Sequence, residues 1–231
     1  MELHVVDVSW QDYLDLLPTL MKSKCAPIHS VEPQIAKGLS FAKSHGVDGM
    51  VFGENTDSLF GGFDKLVTSK SEPSKFIERY TFTNPAVILK RPVDVNSAFD
   101  PFIYQGAVDI HAVLERLLAD ESLNSYINPC VSQGVKLIAP FAHLRMGNPL
   151  NIERIRSGDS KYLVRELFKL RYPDLTPPEK NPMPRAVGIW LRDWGGPVHP
   201  IFREFDINSL TSDQKWYVFA LEKFTEILEK N

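Results

Sequence analysis

At position 53 the chain switches abruptly from apolar to hydrogen-bonding residues. Gly49-Met50-Val51-Phe52 reads as a short buried strand. The stretch GENTDSLFGGF, Gly53 to Phe63, follows at once, with two acids, an amide and two hydroxyls in eleven residues. Ligands in open α/β sheets gather at the carboxyl ends of strands. An acceptor-rich segment directly after an apolar strand therefore points to a sheet edge that handles a ligand.

The residues upstream supply the rest of an α/β unit. Leu3 to Val8 is a short apolar run with β-branched residues and predicts a buried strand. Ser9 or Asp12 suits the cap of a following helix, with Trp10, Tyr13, Leu14, Leu17 and Met21 on one face, and Pro18 limits or kinks it. Pro33 to His45 predicts a second helix, with Pro33 in its first turn, Ile35, Leu39 and Ala42 toward the core, and Gly46 as the stop. The order strand, helix, helix, strand implies parallel pairing through a crossover.

Beyond Phe63 the pattern becomes mainly helical, over Pro73–Tyr80, Ile110–Ala119, Ser160–Arg171, Pro184–Trp194 and Ser212–Lys230. The last opens with the capping-box pattern Thr211 to Gln214 and carries Trp216, Phe219, Ala220, Leu221, Phe224 and Leu228. Trp190, Trp194, Trp216, Tyr217 and Phe219 sit at helical spacing and read as core. Pro173–Pro184 reads as a proline-rich loop. The expected architecture is a single α/β domain. Residues 1–65 contribute part of a doubly wound parallel sheet, and 66–231 form a mainly helical part.

Composition narrows the function classes. The 231 residues are 43% hydrophobic and 24% charged with a formal net charge of −3, which argues against a generic binder of nucleic acid or anionic membranes. No apolar run is long enough to span a bilayer, and MELHVVDVSW lacks the basic and apolar regions of a signal peptide. Cys25 and Cys130 form no framework and read as reduced, buried thiols, so a cytoplasmic location is expected. Six histidines are scattered without metal-ligand spacing. No Walker loop, no dinucleotide fingerprint and no nucleophile elbow is present.

Two readings of the opening stretch stand side by side. Asn55, Thr56, Asp57 and Ser58 are all good helix caps, and Gly61-Gly62 suits a tight turn. Alternatively Glu54 and Asp57, three apart, share a face at a helix start, where paired carboxylates suit Mg²⁺ that bridges phosphate oxygens, or a general base for an amine. Gly61-Gly62-Phe63-Asp64 only superficially resembles the SGGxDS pyrophosphate loop: Phe60 and Lys65 stand where serines belong, and the glycines lie well past the strand end.

The stretch resembles the motif GEGADELFGGY of asparagine synthetases and their relatives, the β-lactam synthetases and asparagine-synthetase-like ligases. Gly53, Glu54, Asp57, Leu59, Phe60, Gly61 and Gly62 match, and Phe63 replaces the tyrosine. Pro140-Phe141 in GVKLIAPFAHL resembles the family's EARVPFLD segment, and GDSKYLVRELF, Gly158 to Phe168, resembles its KYILREAF helix. Lys180 falls where the family has a loop lysine. The resemblance implies an adenine-nucleotide alpha-hydrolase-like sheet and an ATP-dependent, amide-forming reaction. In it a carboxylate is adenylated and an amine displaces AMP. It further implies catalytic roles for Glu54 and Lys180, contacts of Gly53, Asp57 and Lys161 with the nucleotide phosphates, and Mg²⁺ on Asp57. The substrate implied is a small-molecule or peptide carboxylate.

The departures are also specific. Only 53 residues precede Glu54, and none carries the SGGxDS loop; nor does a catalytic cysteine follow Met1. Ser58, Lys136, Ile138 and His143 replace a glutamate, an acid, an arginine and an aspartate of the family pattern. An N-terminal half on another chain, self-association, or a non-catalytic remnant that binds a partner are the expectations that follow.

Overall fold

A computed structural model describes residues 2–63, 72–177 and 185–230. The helix Trp10–Lys24 begins at a capping box in which Ser9 and Asp12 satisfy each other's backbone, and it continues through Pro18 to Lys24. The helix Glu32–Ser44 follows, with a proline in its first turn. Strand β1, Gly49–Val51, comes next.

The parallel partner of β1 is not the N-terminal run. Four strands are described: β1, β2 (Ile103–Tyr104), β3 (Ala107–Val108) and β4 (Lys136–Ile138). β1 pairs with β4 in register Gly49 with Lys136 and Val51 with Ile138. The ladder continues one residue further, where Phe52 N donates to Ile138 O at 2.9 Å. Between these strands the chain passes through several helices, the last being Asn124–Gln133, which packs along Glu32–Ser44. β2 and β3 make a separate two-residue hairpin.

The expected strand over Leu3–Val8 is therefore corrected. The segment joins no ladder, and Leu3 and Val5 are 87% and 81% exposed. A strand is stabilised by the neighbour that takes its hydrogen bonds, and among the described residues none is offered to this one.

Of the four apolar clusters among the described residues, two position the strands and the helices around them. Tyr13, Leu17, Leu20 and Met21 meet Val187, Leu191, Trp216, Phe219 and Ala220, so the first helix and the C-terminal helix Ser212–Glu229 share one core. Trp216 Nε1 donates to Ile28 O at 2.9 Å, and Tyr13 Oη donates to Ser30 O at 2.7 Å. Of the aromatic residues expected in the core, Trp216 and Phe219 are buried in it and Trp190 and Trp194 pack around it with Trp10, whereas Tyr217 is half-buried outside this cluster, its ring against Phe82 and His29. The second cluster, Val31, Ile35, Leu39, Cys130 and Val135, carries Met50, Phe52, Tyr126 and Leu137 against it. This cluster holds β1 and β4 in place and so positions everything that follows them.

A buried polar network ties the two helices of the N-terminal unit to Asn124–Gln133. Glu32, with no exposed surface, accepts from Lys24 Nζ at 2.6 Å, from His29 N at 2.8 Å and from Asn128 Nδ2 at 2.7 Å. A buried carboxylate is tolerated because it is paired and hydrogen-bonded in this way.

Of the later expected helices, four form: Pro73–Thr81, Ile110–Leu117, Tyr162–Arg171 and Ser212–Glu229, the last with its capping box intact. The expected Pro184–Trp194 reduces to Val187–Trp190, with Pro184 outside the described residues. It ends where the Leu191 and Arg192 carbonyls turn to the ammonium of Lys215, at 3.4 and 3.1 Å. Cys130 is buried as expected, but Cys25 is exposed; both are free thiols. No helix among the described residues is long and apolar enough to cross a membrane.

Candidate functional site

The switch at position 53 lies at the carboxyl end of the parallel pair. Past Phe52 the chain leaves the ladder, and Asn55 takes a left-handed conformation (φ 74°, ψ −2°) ahead of a single helical turn, Thr56–Leu59. Asparagine tolerates that region better than most residues. The cap reading is corrected in one respect, because the Asn55 side chain makes no capping bond to this turn. Its Nδ2 donates instead to Phe141 O, 86 residues away, at 2.9 Å.

That bond joins the second segment singled out in the sequence. Pro140–His143 forms a 3-10 turn directly after β4 and Ala139. Two parallel strands therefore release their loops on the same side. Phe60 and Phe141 meet edge to face with ring centroids 6.0 Å apart. His143, also in this turn, is exposed.

The third segment arrives through Lys161. It was expected inside a helix beginning at Ser160, but it stands just outside one in the left-handed region, at φ 55°, and the helix starts at Tyr162. This conformation aims its N–H at Phe60 O, 3.0 Å away, and its ammonium at Asp57 Oδ1, 2.8 Å away. The ammonium contact has the distance of an ion pair without hydrogen-bond alignment, for Asp57 Oδ1 has no hydrogen-bond partner among the described residues. The Asp57 side chain is 43% exposed, so the carboxylate is only partly used by Lys161.

Gly61 and Gly62 are required by this closeness. A Cβ on Gly62 would lie 2.0 Å from Asp57 Oδ1 and 2.5 Å from Lys161 Cε. Gly61 has φ +70°, and a Cβ there would lie 2.4 Å from Ile155 Cδ1. Only glycine lets the chain turn back so tightly over its own carboxylate. By contrast a Cβ on Gly53 would meet nothing within 4 Å.

Sequence reasoning passed over one participant. Tyr126, on the helix Asn124–Gln133, packs its ring 4.9 Å from that of Phe52. Its phenol is pushed above the usual tyrosine range by burial, then by the charge of Glu54 and by donation to that carboxylate, and further by the charge of Asp57. Tyr126 is thus held as a neutral hydrogen-bond donor beside both acids. Its helix contains Asn124, Ser125, Asn128 and Pro129, weak helix formers that hide the element from a propensity reading.

The site thus brings together Glu54, Asp57, Lys161, Tyr126 and the buried amide of Asn55. Lys180 lies outside the described residues. Among the described residues no group of three or more His, Cys, Asp or Glu side chains converges to hold a metal ion. Two carboxylates with one ammonium nevertheless suit a cation that arrives with a phosphate ligand, since Mg²⁺ commonly takes one or two protein carboxylates and fills its shell with phosphate oxygens and water. Comparison with protein-family models, curated proteins and solved structures returns no match to the chain.

Proposed function

We propose that this chain is part of an asparagine-synthetase-like synthetase domain that forms amide bonds at the expense of ATP. One observation carries the proposal. The three segments that resemble the family, the first lying far from the other two in the chain, converge through Asn55 on Phe141, Lys161 on Phe60, and Lys161 on Asp57. Independent chance resemblances would not be expected to share one sheet edge.

In this reading β1 and β4 belong to a larger doubly wound parallel sheet of the adenine-nucleotide alpha-hydrolase type. Asp57 would hold Mg²⁺, which supplies charge neutralisation for a departing pyrophosphate, and Lys161 would contact the phosphate oxygens. Gly53, with open space around its Cα, lets a ligand approach the backbone closely. Glu54, with Tyr126 donating to it, would face the amine that attacks the activated carboxylate. The role of Lys180 rests on the resemblance alone. No SGGxDS loop occurs in these 231 residues, so the proposal assigns it to a further segment or a second chain. The carboxylate substrate is a small molecule or a peptide.

A second reading is a non-catalytic member that binds a partner. It is favoured by the Asp57–Lys161 ion pair, which already sets an ammonium against the acid that would hold the cation. ATP–pyrophosphate exchange separates the two. The enzyme reading expects exchange when the chain is combined with a segment bearing the pyrophosphate loop, and loss of exchange on Asp57→Ala. Absence of exchange with that segment supports the binding reading.

A further inference from the structure

The helix Tyr162–Arg171 is fastened to the rest of the chain along one side. Tyr162 is buried, its Oη accepts from Asn151 N at 3.0 Å, and the Arg154 guanidinium lies over its ring, 4.0 Å from the centroid. Arg165, on the same side, pairs with Asp159. The other side carries apolar residues into solvent. Val164, Leu167 and Leu170 are exposed, the two leucines by 55% and 78%, and Leu163 is half-buried. Positions 163, 167 and 170 recur at steps of four and three, which sets them in one stripe along the helix. An exposed apolar stripe rimmed by charge marks a contact surface.

The charges at the rim say what the stripe meets. Glu166 borders it on one side and Arg171 on the other, five positions later. In a heptad frame Leu163, Leu167 and Leu170 occupy d, a and d, with Glu166 at g and Arg171 at e. When two identical helices pair in parallel, the g residue of one copy meets the e residue five positions on in the other, and such pairs set partner and orientation. Each copy therefore carries both halves of a reciprocal contact. Glu166 already accepts from Arg154 Nη1 at 2.7 Å, yet its side chain is 54% exposed, and a carboxylate accepts more than one donor. A lipid surface would call for a polar face rich in Lys and Arg, whereas this rim carries both signs. A second copy of the same helix answers the apolar spacing and the charges together.

We propose that this helix is the pairing surface of a homodimer, in which Leu163, Leu167 and Leu170 of two copies form a parallel seam and Glu166 of each copy meets the partner's Arg171. Lys161, immediately before the helix, contacts Asp57 and Phe60. Parallel pairing thus sets the two candidate sites at the same end of the dimer. The pairing does not depend on the synthetase reading.

Sedimentation equilibrium of the full chain tests it, over about 1 μM to 1 mM, the span of weak association. Wild type should dimerise in this range. Leu167→Glu, and separately Leu170→Glu, should weaken the dimer about tenfold or more, as for the loss of a central apolar anchor. Both positions are exposed, and thermal melting verifies that each variant is folded. Glu166→Arg and Arg171→Glu each set like charges across the seam and should weaken the dimer singly. An equimolar mixture of these two should recover association, because each copy then meets a partner of opposite charge. A wild type that stays monomeric throughout, an unchanged dimer in folded Leu167→Glu and Leu170→Glu, or a mixture that associates no better than its separate components overturns the proposal.

Discussion

Lys161 and Asp57, 104 positions apart in the chain, bring their ammonium and carboxylate to 2.8 Å at the mouth of a parallel strand pair. The contact is only partly shielded, with the side chains 29% and 43% exposed. Solvent screening keeps such a pair to roughly 1 kcal/mol of stability or less. Lys161→Ala and Asp57→Ala should therefore shift the urea midpoint only slightly, while on the proposed reading Asp57→Ala abolishes Mg²⁺-pyrophosphate binding and Lys161→Ala weakens it. A loss of several kcal/mol in either variant would make the pair a structural fixture.

Gly62 makes a sharper prediction. With a Cβ placed 2.0 Å from Asp57 Oδ1, Gly62→Ala must push the carboxylate or the loop aside. An overpacked site of this kind costs about 1–3 kcal/mol. Gly53→Ala, with nothing within 4 Å, should fold like wild type. Chemical denaturation of the two variants side by side checks the contrast.

What the sequence made legible was local. The caps at Ser9 and Thr211 are short-range hydrogen-bond patterns and appear as read. The acceptor-rich turn after β1 was legible for the same reason, since Gly53 to Gly62 closes on itself through Gly62 N donating to Asp57 O at 2.7 Å. The partner of β1 was not, because β4 is three residues long, includes a lysine, and follows a helix that carries Pro129 in its interior. Pairing across 87 positions is decided by the packing of Val31, Leu39, Cys130 and Val135, which no local window contains. The same gap explains why Tyr126 was missed and why Leu3–Val8, apolar and β-branched, was assigned a ladder it does not join.

The buried network around Glu32 should dominate the stability of the N-terminal unit. Glu32→Ala would strand the Lys24 ammonium and leave Asn128 Nδ2 and His29 N without this acceptor. Breaking a buried charge pair from one side costs about 3–5 kcal/mol. The expected result is a large fall in the denaturation midpoint, and a shift below about 1 kcal/mol would contradict the placement of that carboxylate.

Acid should loosen the same region. Burial, reinforced by the Arg185 and Lys24 charges and opposed by Asp213, lowers the His29 imidazole from 6.5 to about 4. Its Nδ1 accepts from Val31 N at 3.3 Å, a bond that requires an unprotonated nitrogen. The native state therefore binds its proton less readily than the unfolded chain. The stabilisation is complete above pH 6.5 and is lost as the pH falls toward 4, amounting to roughly 3 kcal/mol. Asp12 acts in the same direction at lower pH. Lys37 and Ser9 hold its carboxyl well below the usual range, so its contribution is present above about pH 4 and declines beneath it. Denaturation midpoints between pH 7 and 4 should fall in wild type and flatten in His29→Gln.

The central claim is that three distant segments build one site for a magnesium-bound phosphate group. Titration of the full chain with pyrophosphate, with and without Mg²⁺, followed by ³¹P resonance broadening, measures it directly. The account predicts saturable, Mg²⁺-dependent binding to wild type that disappears in Asp57→Ala and weakens at least tenfold in Lys161→Ala, with both variants folded. Binding that survives unchanged in Asp57→Ala, or no binding to wild type at millimolar pyrophosphate, would contradict it.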